Sequence, residues 1–114
     1  MLAWQDARLT SLRVIDLCRH HWSPAGSALF SQLQRSAISV QLNIAEGYAF
    51  GHSRTFTRHL GIAYGSAVET GEILSLLSEA DLVAGDICEA VLTTNRRCQR
   101  LLLGLLKKQR RVLA

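Results

Sequence analysis

The chain has 114 residues, of which 48% are apolar and 6% aromatic, with a single Pro. That is enough for one hydrophobic core, and it is poor in the aromatic and turn residues of a β-sandwich. The net charge of +4 is uneven: residues 1–95 hold six Lys/Arg against nine Asp/Glu, whereas residues 96–114 hold seven Lys/Arg and no acid, so basic character is concentrated in the last segment.

Several classes fall away on inspection. The longest aliphatic run, Leu101 to Leu106, is interrupted by Gly104 and is too short to span a bilayer. Met1 to Asp6 has no basic segment ahead of an apolar one, so no signal peptide is expected, and a soluble cytoplasmic protein without membrane contact is the expectation. Cys18, Cys88 and Cys98 are odd in number and form no CxxC pair, which speaks against a disulfide framework or a structural zinc site. His20, His21, His52 and His59 read as surface or capping histidines, and neither a metal nor a cofactor is expected.

Four helices are predicted in chain order. The first runs from about Ala3 to His21, with Leu9, Leu12, Val14, Ile15, Leu17 and Cys18 on its apolar side. Pro24 and Gly26 end it, since neither supports continued helical hydrogen bonding. Ser27 is the expected N-cap of the second helix, whose Leu29, Leu33, Ala37, Val40 and Ile44 recur at intervals of three and four. A turn at Phe50-Gly51-His52-Ser53 follows, with Ser53 capping a third helix through about Ala80. Phe56, Leu60, Ala63, Ala67, Thr70, Leu74 and Leu77 give that helix a seven-residue repeat, the seam pattern of a helical bundle. Asp86, with Glu89 three residues on, is the expected capping box of a fourth helix, seamed by Ile87, Val91, Thr94, Cys98, Leu101 and Leu105. Strand-like alternation is missing throughout. The expectation is therefore an all-α, antiparallel up-down four-helix bundle forming one domain over residues 1–114.

The third helix carries more than one seam requires. Gly61, Gly65 and Gly71 lie in its interior at ~1 kcal/mol each relative to Ala. Ile62, Val68, Ile73 and Leu76 are apolar off the main seam. A helix apolar on more than one side needs more than one neighbour, so Gly61, Ile62, Gly65, Val68, Ile73 and Leu76 form the expected self-association surface. The alternative is a tight crossing with the second helix of the same chain.

The oddest local chemistry is Ser39 to Phe56, an apolar stretch holding Asn43, Glu46 and Gly47. An enzyme would need a base or nucleophile with supporting groups. Glu46 is the best carboxylate and Glu69 the next, with Ser36, Ser39, Ser66, Tyr48, Tyr64 and His59 the only nearby chemistry. GxSxG, HExxH, P-loop and two-metal patterns are all missing. Asn43 and Glu46 share one helix side, and Glu69 sits on the next helix. Such groups serve better as a polar joint that fixes helix register.

The residues Ser31 to Leu77 also carry a resemblance. Gln34-Arg35-Ser36-Ala37, Ser39-Val40-x-x-Asn43-Ile44-Ala45-Glu46-Gly47, Phe56, Leu60, Ala63-x-Gly65-Ser66 and Glu69 resemble the signature of bacterial four-helix-bundle proteins encoded in 23S rRNA intervening sequences. Trp4 and Ala7 resemble that family's opening helix. The resemblance implies a bundle that assembles as a ring-shaped homopentamer. It also implies kinship with the accessory variability determinant proteins of diversity-generating retroelements, which bind a reverse transcriptase and nucleic acid. The family has no established biochemical activity. It commonly has Pro before the Asn-Ile-Ala-Glu-Gly segment where this chain has Gln41, which removes the reason for a helix kink there.

The basic segment is the second candidate site. Arg96, Arg97, Arg100, Lys107, Lys108, Arg110 and Arg111 recur largely at intervals of three and four, opposite Leu101 and Leu105. Repeated around a ring, they would form a positive face that attracts RNA or DNA through counterion release. Arg54, Arg58 and His59 would extend it. Without an aromatic stacking platform, sequence-specific reading is not expected. The competing expectation is a purely structural or protein-interaction oligomer.

Overall fold

A computed structural model describes residues 2–51 and 53–113, the Leu113 side chain excepted. Met1, Ala114 and the expected turn residue His52 lie outside that set. The described residues form four helices: α1 (Leu2–His21), α2 (Ser27–Ala49), α3 (Arg54–Glu79) and α4 (Gly85–Leu113). They pack as an elongated bundle of 46 × 19 × 19 Å. Each helix touches its sequence neighbour, and α1 closes the bundle against α4.

The third-helix seam is buried in full: Phe56, Leu60, Ala63, Ala67, Thr70, Leu74 and Leu77 all lie inside. In α2 the same holds for Leu33, Ala37, Val40 and Ile44, while Leu29 sits at the core's edge. α1 departs from its expected face. Leu12 is exposed, and the buried side is Ala3, Ala7, Thr10, Ser11, Val14, Leu17 and Cys18. Small and hydroxyl-bearing side chains sit where α1 meets its neighbours, because they hydrogen-bond across the contact. Ser11 Oγ donates to Ala37 O at 3.1 Å, and Thr10 Oγ1 meets Thr94 Oγ1 at 3.1 Å.

The core forms two clusters along the bundle axis. One gathers Val14, Leu17, Phe30, Leu33, Leu74 and Leu77, while the other gathers Ala3, Ile44, Phe56, Leu60, Leu102 and Leu106. Leu102 and Leu106 thus lie deeper than the expected seam residues Leu101 and Leu105, which pack at the edge. A straight helix advances 3.6 residues per turn, so a seven-residue seam drifts over 29 residues and its last turns present the next position inward. At the level between the clusters the interior is polar and satisfied: Asn95 Nδ2 and Gln99 Nε2 both donate to Ala67 O, at 2.9 and 3.0 Å.

Two of the three expected caps differ. Ser53 caps α3 as expected, accepting from Phe56 N at 3.2 Å. Ser27 is instead the first residue of α2, and Gly26 is the cap residue. Ser23 Oγ accepts from Gly26 N one step earlier, and that turn leaves no place for a Ser27 cap. Asp86 likewise falls inside α4, which opens at Gly85, while Glu89 pairs with Arg96 rather than closing a capping box. The α3–α4 turn supplies the reason. Asp81 adopts φ 57°, with Leu82 N donating to Leu77 O and Asp81 N to Ser78 O, a Schellman closure. The chain therefore re-enters helix early, with Ile87 N and Cys88 N both directed at Ala84 O.

Candidate functional site

The Asn43–Gly47 segment is a joint between α2 and α3. Ser36 Oγ lies 2.8 Å from Thr70 Oγ1, Ser39 Oγ 2.9 Å from Ser66 Oγ, and Asn43 Oδ1 3.0 Å from His59 Nδ1. Partners descend α3 as they climb α2, so each pair fixes the offset of the next. Asn43 Nδ2 donates back to Ser39 O at 2.9 Å, which orients its amide oxygen toward His59. The imidazole is further held by Phe50, stacked parallel at 5.8 Å. At Gly47 the helices are too close for a side chain, since an added Cβ would stand 3.1 Å from both His59 Cβ and Phe56 Cδ1.

The carboxylates do not take the role expected of them. The Glu46 side chain is 62% exposed, and its Oε2 stands 3.8 Å from His59 Nδ1. Glu69 accepts from Gln32 Nε2 on the outer surface, next to the Ser36–Thr70 pair and well along the helices from Glu46. Water screens both acids, and the register is set by Ser, Thr, Asn and His instead. Arg35 is exposed; it lines, with Leu42 and Glu46, an open groove of about 550 Å³ on the outer side of α2. Ser66 and Tyr64 lie part-buried on α3. Sequence reasoning did not foresee His59 as the joint's hinge partner. Its spacing of three residues from the seam residue Phe56, close to one helical turn, was the available signal.

The third-helix surface divides. Ile73 is buried in the core with Leu74 and Leu77, correcting its assignment to an outer face. It lies on the side of α3 that carries Thr70 and Ser66, three and seven residues earlier, which both meet α2. Ile62, Val68 and Leu76 remain 39–48% exposed. Gly61 and Gly65 have open space where a Cβ would be, so no tight crossing within the chain explains them. Gly71 differs, facing Asn95 Nδ2 at 3.4 Å.

Every basic residue of α4, from Arg96 to Arg111, is exposed. Arg97 Nη2 bonds Asp6 Oδ1 at 3.0 Å, and Arg96 pairs with Glu89. Arg100, Lys107, Lys108, Arg110 and Arg111 make no ion pair among the described residues. Arg54 and Arg58 are exposed in the first turns of α3, on the side that carries Gly61 and Gly65, whereas His59, expected beside them, is turned into the joint against Asn43 with its side chain 12% exposed. Among the described residues no group of three or more His, Cys, Asp or Glu could hold a metal ion, and no helix is long and apolar enough to cross a membrane. The three thiols are buried. Burial, and secondarily the charge of Asp6, pushes Cys98 up to about 12.

The fold and its surface define a small all-α bundle with a polar α2–α3 joint and a basic fourth helix. The chain belongs to the 23S rRNA-intervening sequence protein family, whose model matches residues 1–104. Its fold is similar to that of a crystallised protein with unknown function from the S23 ribosomal protein family of Bacteroides thetaiotaomicron VPI-5482. The TM-score is 0.85 at 22% identity, covering 92% of this chain and 98% of that one. No curated protein matches the chain.

Proposed function

We propose that this protein is a non-enzymatic, oligomeric binding or scaffold module of the cytoplasm, a single antiparallel up-down bundle whose α4 binds RNA or DNA without reading sequence. The carrying observation is the exposed row Arg100, Lys107, Lys108, Arg110 and Arg111, free of partner carboxylates among the described residues. Cations without internal partners are available to phosphates, and their attraction is set by counterion release. Multiplied in a ring-shaped homopentamer, as the family resemblance suggests, the row becomes a continuous positive face. The kinship with accessory variability determinant proteins that the resemblance implies is the reason for placing a larger partner, such as a reverse transcriptase, beside it. The assay is fluorescence anisotropy with labelled single-stranded RNA and duplex DNA across a salt series. Binding at low salt that falls steeply as salt rises is expected; affinity that is undetectable at low salt, or indifferent to salt, refutes the reading.

A second reading, a purely structural or protein-interaction homo-oligomer, draws on exposed Ile62, Val68 and Leu76 around the open Gly61 and Gly65. Native mass spectrometry decides it, because a monomer at micromolar concentration removes the oligomer from both readings.

A further inference from the structure

The bundle is unequal at its two ends. Cys98 Sγ donates to Ala3 O at 3.4 Å, and Arg97 reaches Asp6, which places the first turn of α1 beside residues 97–98 of α4. α1 begins at Leu2, yet α4 continues to Leu113, about 22 Å further at 1.5 Å per residue. Along those last four turns no described helix occupies α1's row.

The seam that α4 offers α1 does not stop with α1. Thr94 and Cys98 face α1 directly, and Leu101, Leu105, Lys108 and Val112 continue the same stripe at intervals of three and four. Across from them lies Tyr48, in the last turn of α2, 42% exposed although its ring rests against Phe56 at 4.7 Å. Leu2 and Val112 are 67% and 63% exposed at the two ends of the stripe. Leu2, Tyr48, Leu101, Gly104 and Leu105 line an open groove of about 430 Å³, and Arg100 and Lys108 stand on its walls.

We infer that this groove is a helix slot: it receives an amphipathic helix of a partner protein, about 12 residues long, apolar on one side and acidic along its edges. Three observations argue for that occupant. The groove continues an interface already made by a helix, the α1–α4 seam. It is open along its length, which suits a helix better than a small molecule that needs enclosure. Its walls are cationic and lack carboxylate partners among the described residues, so an acidic helix edge is complementary and a basic one is repelled. An apolar floor gives a nucleic acid backbone nothing to bind, so the slot shares Arg100 and Lys108 with the phosphate-binding row while its floor serves the helix alone.

The test uses a dye-labelled synthetic 14-residue helix with leucines at i, i+3, i+4 and i+7 and glutamates elsewhere. Its controls are a version with lysines in place of the glutamates and a polyglutamate of the same length. The full chain should bind the leucine–glutamate peptide and neither control. Gly104→Trp fills the groove, and because an added Cβ there meets nothing within 4 Å, the bundle should keep its helical circular dichroism. Peptide affinity should fall at least about tenfold in that variant while RNA affinity stays unchanged, since only the slot contact is lost. Arg100→Glu with Lys108→Glu should weaken both ligands. Equal binding of polyglutamate, failure of any peptide to bind, or an unchanged affinity in Gly104→Trp overturns the slot. A wild-type oligomer that Gly104→Trp dissociates in light scattering also overturns it, and assigns the groove to a second copy of this chain.

Discussion

The same chemical change, glycine to alanine, should have opposite signs at two positions of this bundle. Alanine is favoured over glycine in a helix interior by ~1 kcal/mol, which applies equally to Gly47 and Gly65. At Gly65 the new methyl meets nothing within 4 Å, so the full gain is realised and Tm should rise by about 4 °C for a domain of this size. At Gly47 the methyl arrives 3.1 Å from His59 Cβ and from the Phe56 ring. Neither neighbour can step aside. The Cβ moves only with the α3 backbone, and the Phe56 ring is buried with Tyr48 packed on it at 4.7 Å. Overpacking of this kind costs about 1–3 kcal/mol, which outweighs the propensity gain and leaves a net loss of about 1 kcal/mol, or ~4 °C in Tm. Thermal and urea unfolding followed by circular dichroism measures both variants. If Gly47→Ala is as stabilising as Gly65→Ala, the close approach of α2 and α3 at Gly47 is wrong, and the polar joint loses its geometric basis. Running both at two protein concentrations separates a change in the chain's own stability from one in assembly.

Other expectations follow from the caps, turns and titrating groups. Ser53→Ala should cost about 1 kcal/mol of unfolding free energy through the lost Phe56 N bond, whereas Ser27→Ala, inside a helix that Gly26 caps, should lie within ~0.5 kcal/mol of wild type. Asp81→Gly should stabilise by about 0.5–1 kcal/mol, because φ 57° is strained for a residue with a Cβ and free for glycine; a loss of stability would mean that the Asp81 side chain holds the turn. Glu46→Gln should change stability by less than ~0.5 kcal/mol, as expected for a largely exposed carboxylate; a larger effect would place Glu46 in a contact that the joint does not show. The thiols should resist an aromatic disulfide reagent at pH 8 in the folded protein and all react on unfolding. Cys98 rises from 9.0 to about 12 on folding, so the folded state holds its proton where the unfolded state has lost it. That contribution to stability is intact below about pH 9 and declines between about pH 9 and 12; stability that rises over this range contradicts the burial of Cys98.

Most of the bundle was legible in the residue pattern, because burial on a helix repeats with the helix's own period. The α3 seam from Phe56 to Leu77 needed nothing beyond spacing, and Ser53 needed only the preference of a hydroxyl for an early free N–H. Where the pattern misled, a second contact decided the outcome. Leu12 has the hydropathy of a core residue, yet Ser11 and Thr10 face inward because Ala37 O and Thr94 lie opposite them. Ile73 was read as surplus because it stood off the seam, and it proved to be buried in the same core cluster as Leu33, Leu74 and Leu77. Asp86 had the chemistry of a cap, but the turn at Asp81 had already set where α4 opens.

The sequence by itself determined the four helices, the buried seam of α3, the crowding of positive charge into the last helix and the family to which the chain belongs. Each of these depends on neighbours along the chain, where hydrophobic period, capping chemistry and charge count are local properties. Only the tertiary structure decided that Asn43 answers to His59 rather than to a carboxylate, that Gly47 is closed while Gly65 is open, and that α4 outruns α1 to leave a groove walled by Arg100 and Lys108. Those facts depend on the offset between helices. That offset is fixed by pairs such as Ser39 with Ser66, whose partners lie 27 residues apart and carry no mark of each other in the order of residues.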